Sequence, residues 1–245
     1  MEPIYKQEFH INDACVDCYG RLKPSMLLYF IQEVSGVHGA SMGADYDTLA
    51  QQNLFWAILR SKVQITRLPK RGETIRLETW PMPTTRVAYP RSVVAYDWNG
   101  RELFRAISLW VMMDATTRAM VIPSKSGFIF EGTLTGSELA VPGSIVPRAM
   151  KNSMRRTVRF TDLDRNGHMN NTRYFDWMCD LLPSSFHRDH PMKELTICYL
   201  SEAREGQTLD MHWDIGEDST FQVEAHRLEE DGAEQRVFAA KVLYA

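Results

Sequence analysis

Residues 17–34, DCYGRLKPSMLLYFIQEV, and residues 164–181, DRNGHMNNTRYFDWMCDL, share one pattern at a separation of 147 positions. Each stretch begins with an aspartate three residues before a glycine. Apolar side chains then recur at the i, i+3, i+4 and i+7 positions, the spacing of one face of an α-helix. These residues are Leu27, Phe30, Ile31 and Val34 in the first copy and Tyr174, Trp177, Met178 and Leu181 in the second. The pattern predicts an internal repeat of a loop followed by a helix.

The repeat continues into predicted strands at slightly smaller separations. Alternating apolar residues on both sides of Gly72 match those around Gly206, 134 positions later, and such alternation is typical of β-strands. Asn99-Gly100 and Asp231-Gly232 lie 132 positions apart, and both dipeptides favour the two-residue turns of β-hairpins. Each copy is therefore expected to be a helix wrapped by an antiparallel sheet.

The predicted fold class is α+β, with two tandem helix-wrapped antiparallel sheets. Because a single copy would leave a sheet edge uncovered, the copies are expected to pair as a pseudo-dimer. The predicted boundaries are residues 1–130 for the N-terminal domain, 131–150 for a linker and 151–245 for the C-terminal domain. In the first copy, residues 45–53 are expected to form a short helix or lid. The alternative is a coincidental repeat inside one larger α+β domain.

The composition is that of an ordinary globular protein. The 245 residues are 44% hydrophobic and carry a net charge of −3, which excludes the disordered and fibrous classes. No apolar stretch approaches the ~20 residues of a membrane helix, and no targeting segment is recognised, so a cytoplasmic location is expected.

Cysteine and histidine spacings do not favour a metal site. Four cysteines in a chain of this length do not form a disulfide framework, and Cys15-x-x-Cys18 lacks a second close pair for zinc. His187 and His190 lie between prolines in what is predicted to be a polar loop. No glycine-rich phosphate loop follows a predicted strand, so nucleotide binding is not expected either.

The second copy carries a polar cluster that the first copy lacks. If its loop is extended, Asp164, Asn166 and His168 project from the same side and bring a carboxylate, an amide and an imidazole together. The first copy has Tyr19 and Arg21 at the amide and imidazole positions. One copy is therefore expected to be active and the other degenerate.

The same loop leads into the predicted helix of the second copy. Backbone N–H groups from Gly167 onward are expected to polarise a carbonyl group, which suits a hydrolytic or acyl-handling site. The alternative is that the asparagines only cap the helix and that His168 is an ordinary surface group.

At these residues the sequence resembles a known family. DLDRNGHMNNTRYFDWM, residues 162–178, is similar to the D-x-N-x-H segment of plant-type acyl-ACP thioesterases, which are tandem hotdog proteins. Further similarity lies in QEVSGVHGASMG (32–43), in TWPMPTTRVAYPRSVVAYDWNGRELFRAISLWVMMDATTRAM (79–120) and in LTICYLSEAREGQTL (195–209). The resemblance runs in order over most of the chain and implies a double hotdog fold.

The resemblance implies a catalytic role for Asp164, Asn166 and His168, together with Glu202 on a later strand. Many plant members have a cysteine directly after that glutamate, whereas this chain has Ala203, so a cysteine nucleophile is excluded at this position. Asp164 or Glu202 would activate water, or Asp164 would attack the thioester directly. Asn166 would orient the reacting groups, and His168 would move protons.

The implied reaction is hydrolysis of the thioester of acyl-acyl-carrier-protein, which releases a free fatty acid and holo-ACP and terminates fatty-acid elongation. No cofactor is implied. An acyl-CoA thioesterase, a hydroxyacyl-thioester dehydratase and a non-catalytic acyl-ACP sensor are the alternatives. The amide at Asn166 disfavours the dehydratase, and the cluster retained in the second copy disfavours the sensor.

A substrate with an acyl chain requires an apolar pocket. Gly167 is the candidate for contact with the thioester. Candidates for the wall of the pocket are the apolar residues Met26, Leu27, Phe30, Trp80 and Trp110 of the first copy.

Acyl carrier protein is acidic, so its docking surface should be basic. Residues 117–160 contain seven basic and two acidic side chains. The predicted docking residues are Arg148, Lys151, Arg155 and Arg156. Nucleic acid and a membrane span are not expected, and the assembly is predicted to be a monomer, itself a pseudo-dimer, or a homodimer.

Overall fold

The computed structural model describes residues 2–229 and 232–245. The chain divides into two compact units, Met1–Pro142 and Gly143–Ala245. Of the predicted turn at Asp231-Gly232, Asp231 lies outside the described residues. Within the described ranges, no helix is long and apolar enough to cross a membrane.

The first unit is an antiparallel sheet with one long helix. Its strands are β1 (Tyr5–His10), β2 (Leu54–Ile65), β3 (Thr74–Pro81), β4 (Tyr89–Tyr96), β5 (Glu102–Asp114) and β6 (Met120–Val121), and its helices are α1 (Pro24–Ser41), α2 (Tyr46–Gln51) and α3 (Pro123–Ser126). The strands are hydrogen-bonded in the order β1-β3-β4-β5-β2, and β6 pairs with β5. All these pairs are antiparallel.

The predicted helix of the first copy is confirmed in α1. Pro24 lies in its first turn, where a missing N–H leaves no helical hydrogen bond unmade. Residues 45–53 contain the predicted short helix, α2, and Asp45 caps it by accepting the N–H groups of Asp47 and Thr48. The apolar face of α1 is buried through Leu27, Phe30, Ile31 and Val34.

The second unit repeats the architecture with shorter helices. Its strands are β7 (Asn152–Thr157), β8 (Met192–Tyr199), β9 (Thr208–Ile215), β10 (Thr220–Leu228) and β11 (Glu234–Tyr244), and its helices are α4 (Arg173–Cys179) and α5 (Ser184–Asp189). The strand order is β8-β11-β10-β9-β7, and all neighbours are antiparallel.

Backbone hydrogen bonds recur in the two units at the separations that the sequence predicts. In the first unit the Leu22 N–H donates to Pro69 O at 2.8 Å, and in the second the Met169 N–H donates to Ala203 O at 2.8 Å. The donors are 147 positions apart and the acceptors 134. The internal repeat is therefore present in the hydrogen bonds as well as in the residue pattern.

The helix of the second copy is shorter than predicted. α1 has 18 residues, whereas α4 has seven and ends at Cys179, so Leu181 lies beyond it. Pro183 accounts for the early end, because proline lacks an N–H group and disfavours the α conformation of the residue before it. Residues Ser184–Asp189 form α5, so the prediction of a loop around His187 is also wrong.

The segment between residues 131 and 150 contains no helix or strand. Two side chains of the second unit hold part of it: Arg236 Nη2 donates to Ile145 O at 3.0 Å, and Gln222 Nε2 donates to Val146 O at 3.1 Å. Arg236 Nε also donates to Glu224 at 2.7 Å, and the Glu224 side chain is only 3% exposed. A buried ion pair therefore orients the arginine that binds this segment.

Replacing Arg236 by methionine is expected to destabilise the protein by about 3 kcal/mol, because the buried Glu224 carboxylate then loses its main cation. The double variant Glu224→Leu/Arg236→Met removes both charges and is expected to recover most of that loss. Urea unfolding followed by tryptophan fluorescence measures both variants. A double variant as unstable as the single one would show that packing, not the unpaired charge, causes the loss.

Candidate active site

The loop that enters α4 is a tight turn built around Asp164. Its Oδ1 atom accepts the N–H groups of Asn166 at 2.8 Å and of His168 at 3.2 Å. Gly167 has a φ of +74°, a conformation that glycine adopts without strain. The loop is therefore not extended, and the condition under which its three polar side chains would project from the same side is not met. The side chain of Asp164 competes for backbone N–H groups, as aspartate commonly does, and closes the chain into a turn.

The imidazole of His168 contacts the carboxylate of Glu202. The distance from Nε2 to Oε2 is 3.2 Å, and the two side chains are 14% and 40% exposed. Backbone contacts fix this arrangement, since His168 forms an isolated β-bridge with Arg204 and the Met169 N–H donates to Ala203 O. The pair is partly shielded by the protein and still open to a substrate and to water.

Arg227 on β10 supports the segment that carries Glu202. Its Nη1 atom donates to Glu202 O at 2.6 Å and to Gln207 Oε1 at 3.1 Å. Gln207 Oε1 also accepts the Arg204 N–H at 2.8 Å. Sequence reasoning missed Arg227, because a single arginine on a strand, 25 positions from Glu202, gives no pattern that indicates this contact.

Backbone N–H groups around the start of α4 are engaged inside the loop. The Gly167 N–H donates to Asp164 O at 3.1 Å, and the Thr172 N–H donates to Asn170 Oδ1 at 2.9 Å. The expectation that these groups polarise a carbonyl is therefore wrong for Gly167, which instead shapes the turn. The amide of Asn166 is exposed, and its Nδ2 lies 3.4 Å from Asp164 Oδ2. Because an amide nitrogen carries two hydrogens, Asn166 can still donate to a substrate.

The corresponding loop of the first unit has the same turn and different chemistry. Asp17 Oδ1 accepts the N–H groups of Tyr19 at 2.9 Å and of Arg21 at 3.0 Å. The Arg21 side chain folds back on Asp17, at 3.2 Å. Leu68 occupies the position that corresponds to Glu202. The aspartate builds the turn in both copies, whereas this loop of the first copy holds neither the imidazole nor the later carboxylate.

A narrow cavity lies in the first unit, beside α1. Its volume is about 90 Å³, which is several times the space that one water molecule needs. Of the predicted acyl contacts, Trp110 lines this cavity and Met26 does not. The other three are side chains of the packed core: Leu27, Phe30 and Trp80.

The four predicted docking residues lie in the second unit and differ in their partners. Arg148 is exposed, and the Lys151 side chain is 86% exposed, with its Nζ atom 3.9 Å from Asp214 Oδ2. The other two form shorter ion pairs, at 2.5 and 2.6 Å, Arg155 with Asp210 and Arg156 with Asp180. Arg148 and Lys151 are therefore the more available cations.

None of the four cysteines, all within the described residues, forms a disulfide, and Cys15 and Cys198 are buried. The Cys15 thiol donates to Asn12 Oδ1 at 3.3 Å, so one member of the Cys15-x-x-Cys18 pair has a structural partner. In the part of the chain that the structure describes, no three histidine, cysteine or acidic side chains are grouped as metal ligands.

Comparison with known proteins gives matches along nearly the whole chain. The model of the acyl-ACP thioesterase N-terminal domain matches residues 2–124, and that of the C-terminal domain matches residues 147–242. An oleoyl-acyl carrier protein thioesterase, chloroplastic, of Coriandrum sativum is 24% identical over 84% of this chain and 61% of its own length. A palmitoyl-acyl carrier protein thioesterase, chloroplastic, of Gossypium hirsutum is 24% identical over 89% of this chain and 56% of its own length. The chain thus spans about three fifths of these relatives.

Solved structures agree on the fold. An acyl-ACP thioesterase from Bacteroides thetaiotaomicron matches with a TM-score of 0.81 and 24% identity, over 99% of this chain and 98% of that one. The 12:0-ACP thioesterase from Umbellularia californica matches with a TM-score of 0.84 and 21% identity, over 100% and 98%. The predicted double hotdog fold is confirmed. Since the two domain models together cover most of its length, the chain belongs to the acyl-ACP thioesterase family.

Proposed function

We propose that this protein hydrolyses the thioester of acyl-ACP and releases a free fatty acid and holo-ACP. The observation that carries the proposal is the 3.2 Å contact between His168 Nε2 and Glu202 Oε2, at an accessible loop of a member of this family. The geometry suits a general base, because the carboxylate stabilises the imidazolium that forms when His168 accepts a proton.

His168 is the general base of the proposed reaction. It takes a proton from water, and the water oxygen attacks the carbonyl carbon of the thioester. The tetrahedral intermediate then expels the thiolate of the carrier, which receives the proton back from the imidazolium. The exposed amide of Asn166 donates to the oxyanion during this step.

Asp164 positions the loop in this mechanism and does not attack the substrate. Its Oδ1 atom already accepts two backbone N–H groups, those of Asn166 and His168. The corresponding Asp17 makes the same bonds in a loop that lacks the imidazole. A role shared by both copies is a structural role, so the carboxylate that acts on the reaction is Glu202.

The cavity of the first unit binds the acyl chain in this proposal. Gly36 lies inside α1 and lines the cavity, and a Cβ atom added there would meet no atom within 4 Å. Glycine inside a helix costs about 1 kcal/mol relative to alanine, so the protein retains a destabilising residue where a side chain would narrow the cavity.

Gly36→Ala is therefore expected to raise the free energy of unfolding by about 0.5–1 kcal/mol. Gly36→Leu is expected to lower hydrolysis of the longest acyl-ACPs severalfold more than that of the shortest, since its side chain enters the cavity. Denaturant unfolding and a chain-length series measure the two effects. An equal loss at all chain lengths would remove the cavity from substrate binding.

We assign carrier docking to Arg148 and Lys151, the two more available cations. They lie close in sequence to Arg155, which lines a surface depression together with Arg227. The double variant Arg148→Glu/Lys151→Glu is expected to raise KM for acyl-ACP about tenfold while kcat stays nearly constant, because charge complementarity acts on association. Initial rates at low and high salt test this, and a KM that does not depend on salt in the unchanged protein would contradict the assignment.

Thiol release from a panel of acyl-ACPs and matched acyl-CoAs tests the proposed function. Fast release from acyl-ACP is expected, and preference for acyl-CoA would favour the alternative thioesterase. Binding without release would favour a sensor, and dehydration of a 3-hydroxyacyl-ACP would favour a dehydratase. Size-exclusion chromatography with light scattering tests the expected monomer or homodimer, and cell fractionation tests the expected cytoplasmic location.

A further inference from the structure

The cavity of the first unit has apolar walls and an unusual polar side. Its apolar surface comes from residues such as Met42, Pro81 and Phe130. Three residues whose side chains carry hydrogen-bond donors line the same cavity: Arg91, Gln32 and Trp110.

Arg91 is a buried cation with neutral partners. It is 8% exposed, and its Nη1 atom donates to His38 Nδ1 at 3.1 Å and to Thr79 Oγ1 at 3.3 Å. Among residues 2–229 and 232–245, no carboxylate lies within ion-pair distance of it. Burial lowers the pKa of Arg91 to about 10, which leaves it charged at neutral pH. Burial and the Arg91 charge also lower the pKa of His38, so the neutral ring is the acceptor.

The other two donors have no hydrogen-bond partner. Gln32 Nε2 and Trp110 Nε1 are both buried and unpaired within the described part of the chain. Other tryptophans of the protein behave differently, since Trp56 Nε1 donates to Ala44 O at 3.0 Å and Trp80 Nε1 donates to Glu138 at 3.1 Å. A buried donor without an acceptor is costly and uncommon, and each instance calls for an explanation.

We propose that this cavity selects acyl chains that carry an oxygen function, either a neutral hydroxyl or oxo group or an anionic carboxylate, over unsubstituted chains. The inference rests on the proposed function, because it takes the ligand to be the acyl group of the substrate. Arg91, Gln32 and Trp110 all donate, so the matching group on the ligand is an acceptor. The apolar walls hold the hydrocarbon part of the same chain.

The first test is competition between acyl-ACPs of equal chain length. Dodecanoyl-ACP competes with chains that bear a hydroxyl at successive positions, an oxo group or a terminal carboxylate, and the released acids are quantified by mass spectrometry. At least one oxygenated chain is expected to exceed dodecanoyl-ACP in kcat/KM by about tenfold, the effect of one buried hydrogen bond to a charged group. The hydroxyl and carboxylate arms separate the neutral from the anionic ligand.

Variants assign any such preference to the cavity. Gln32→Met and Trp110→Phe each remove one unpaired donor and are expected to reduce the ratio of kcat/KM values about threefold or more. Gln7→Met is the matched control, because Gln7 Oε1 is also buried and unpaired but Gln7 does not line the cavity. Unchanged ratios in the first two variants, or a ratio near one for every oxygenated chain, would overturn the inference while the proposed hydrolysis stands.

A binding experiment tests the inference independently of turnover. The indole N–H resonance of Trp110 is assigned with Trp110→Phe and followed by NMR during titration with 1-octanol, octanoate or 1-fluorooctane. A downfield shift with either oxygen ligand and none with 1-fluorooctane is expected. The Trp80 indole, which donates to Glu138 and does not line the cavity, is the internal reference. If no acyl-ACP is hydrolysed, the proposed function fails and this shift alone decides the inference. An unmoved Trp110 resonance would then overturn it.

Discussion

Replacing His168 by alanine is expected to lower kcat/KM for acyl-ACP about 10³-fold, and Glu202→Gln about 10²-fold, because a general base and its carboxylate each contribute factors of this size. Stability should change little, since both side chains are partly exposed. Thiol release measures the rates, and thermal unfolding measures stability. The matched control is Arg21→Ala, which changes the corresponding position of the first copy and is expected to keep full activity.

The double variant His168→Ala/Glu202→Gln sharpens this prediction. If Glu202 acts through the imidazole at 3.2 Å, its removal costs nothing further once His168 is gone, and the double variant has the rate of His168→Ala. Multiplicative losses of about 10⁵-fold would mean that the two groups act separately on the substrate, which would contradict the proposed pair.

Asp164→Ala is expected to lower kcat/KM about 10²-fold and to destabilise the protein by about 1–2 kcal/mol, because it removes the acceptor of two backbone N–H groups. Asp17→Ala removes the equivalent acceptor in the first copy. Asp17→Ala is expected to lower the free energy of unfolding by the same amount and to keep full activity. The pair separates the contribution of the turn to folding from its contribution to catalysis.

Unfolding curves and thiol release on both alanine variants are the measurements. The interpretation fails if Asp17→Ala is as inactive as Asp164→Ala, since loss of either turn would then act through general unfolding. It also fails if Asp164→Ala loses activity with no loss of stability, because a turn-building acceptor must contribute to both.

The sequence predicts the repeat well because its signals are local and strong. The apolar spacing of α1 and the alternation around Gly72 and Gly206 depend only on neighbouring residues, and both appear in the structure. The apolar pattern predicts that α4 continues to Leu181. In the structure the helix ends at Cys179, because Pro183 prevents its continuation. There the proline overrides the periodicity.

The candidate residues His168 and Glu202 are in contact, although the loop that carries His168 is not extended. The side chains at positions 164, 166 and 168 would project from one side only if the loop were extended. The structure has a turn, since the Asp164 carboxylate binds the N–H groups of the residues two and four positions on. Contacts made by distant residues, such as Arg227 with the Glu202 carbonyl or Arg91 with His38, depend on the fold and carry no local signal.

The most direct measurement is kcat for acyl-ACP hydrolysis by Asp164→Asn and Glu202→Gln, side by side. Asp164→Asn keeps an oxygen that accepts the two N–H groups, so its kcat is predicted to stay within about tenfold of the unchanged protein. Glu202→Gln removes the charge that stabilises the His168 imidazolium, and a loss of about 10²-fold is predicted. The reverse order, with Asp164→Asn inactive and Glu202→Gln active, would make Asp164 the base or nucleophile and contradict the proposed mechanism.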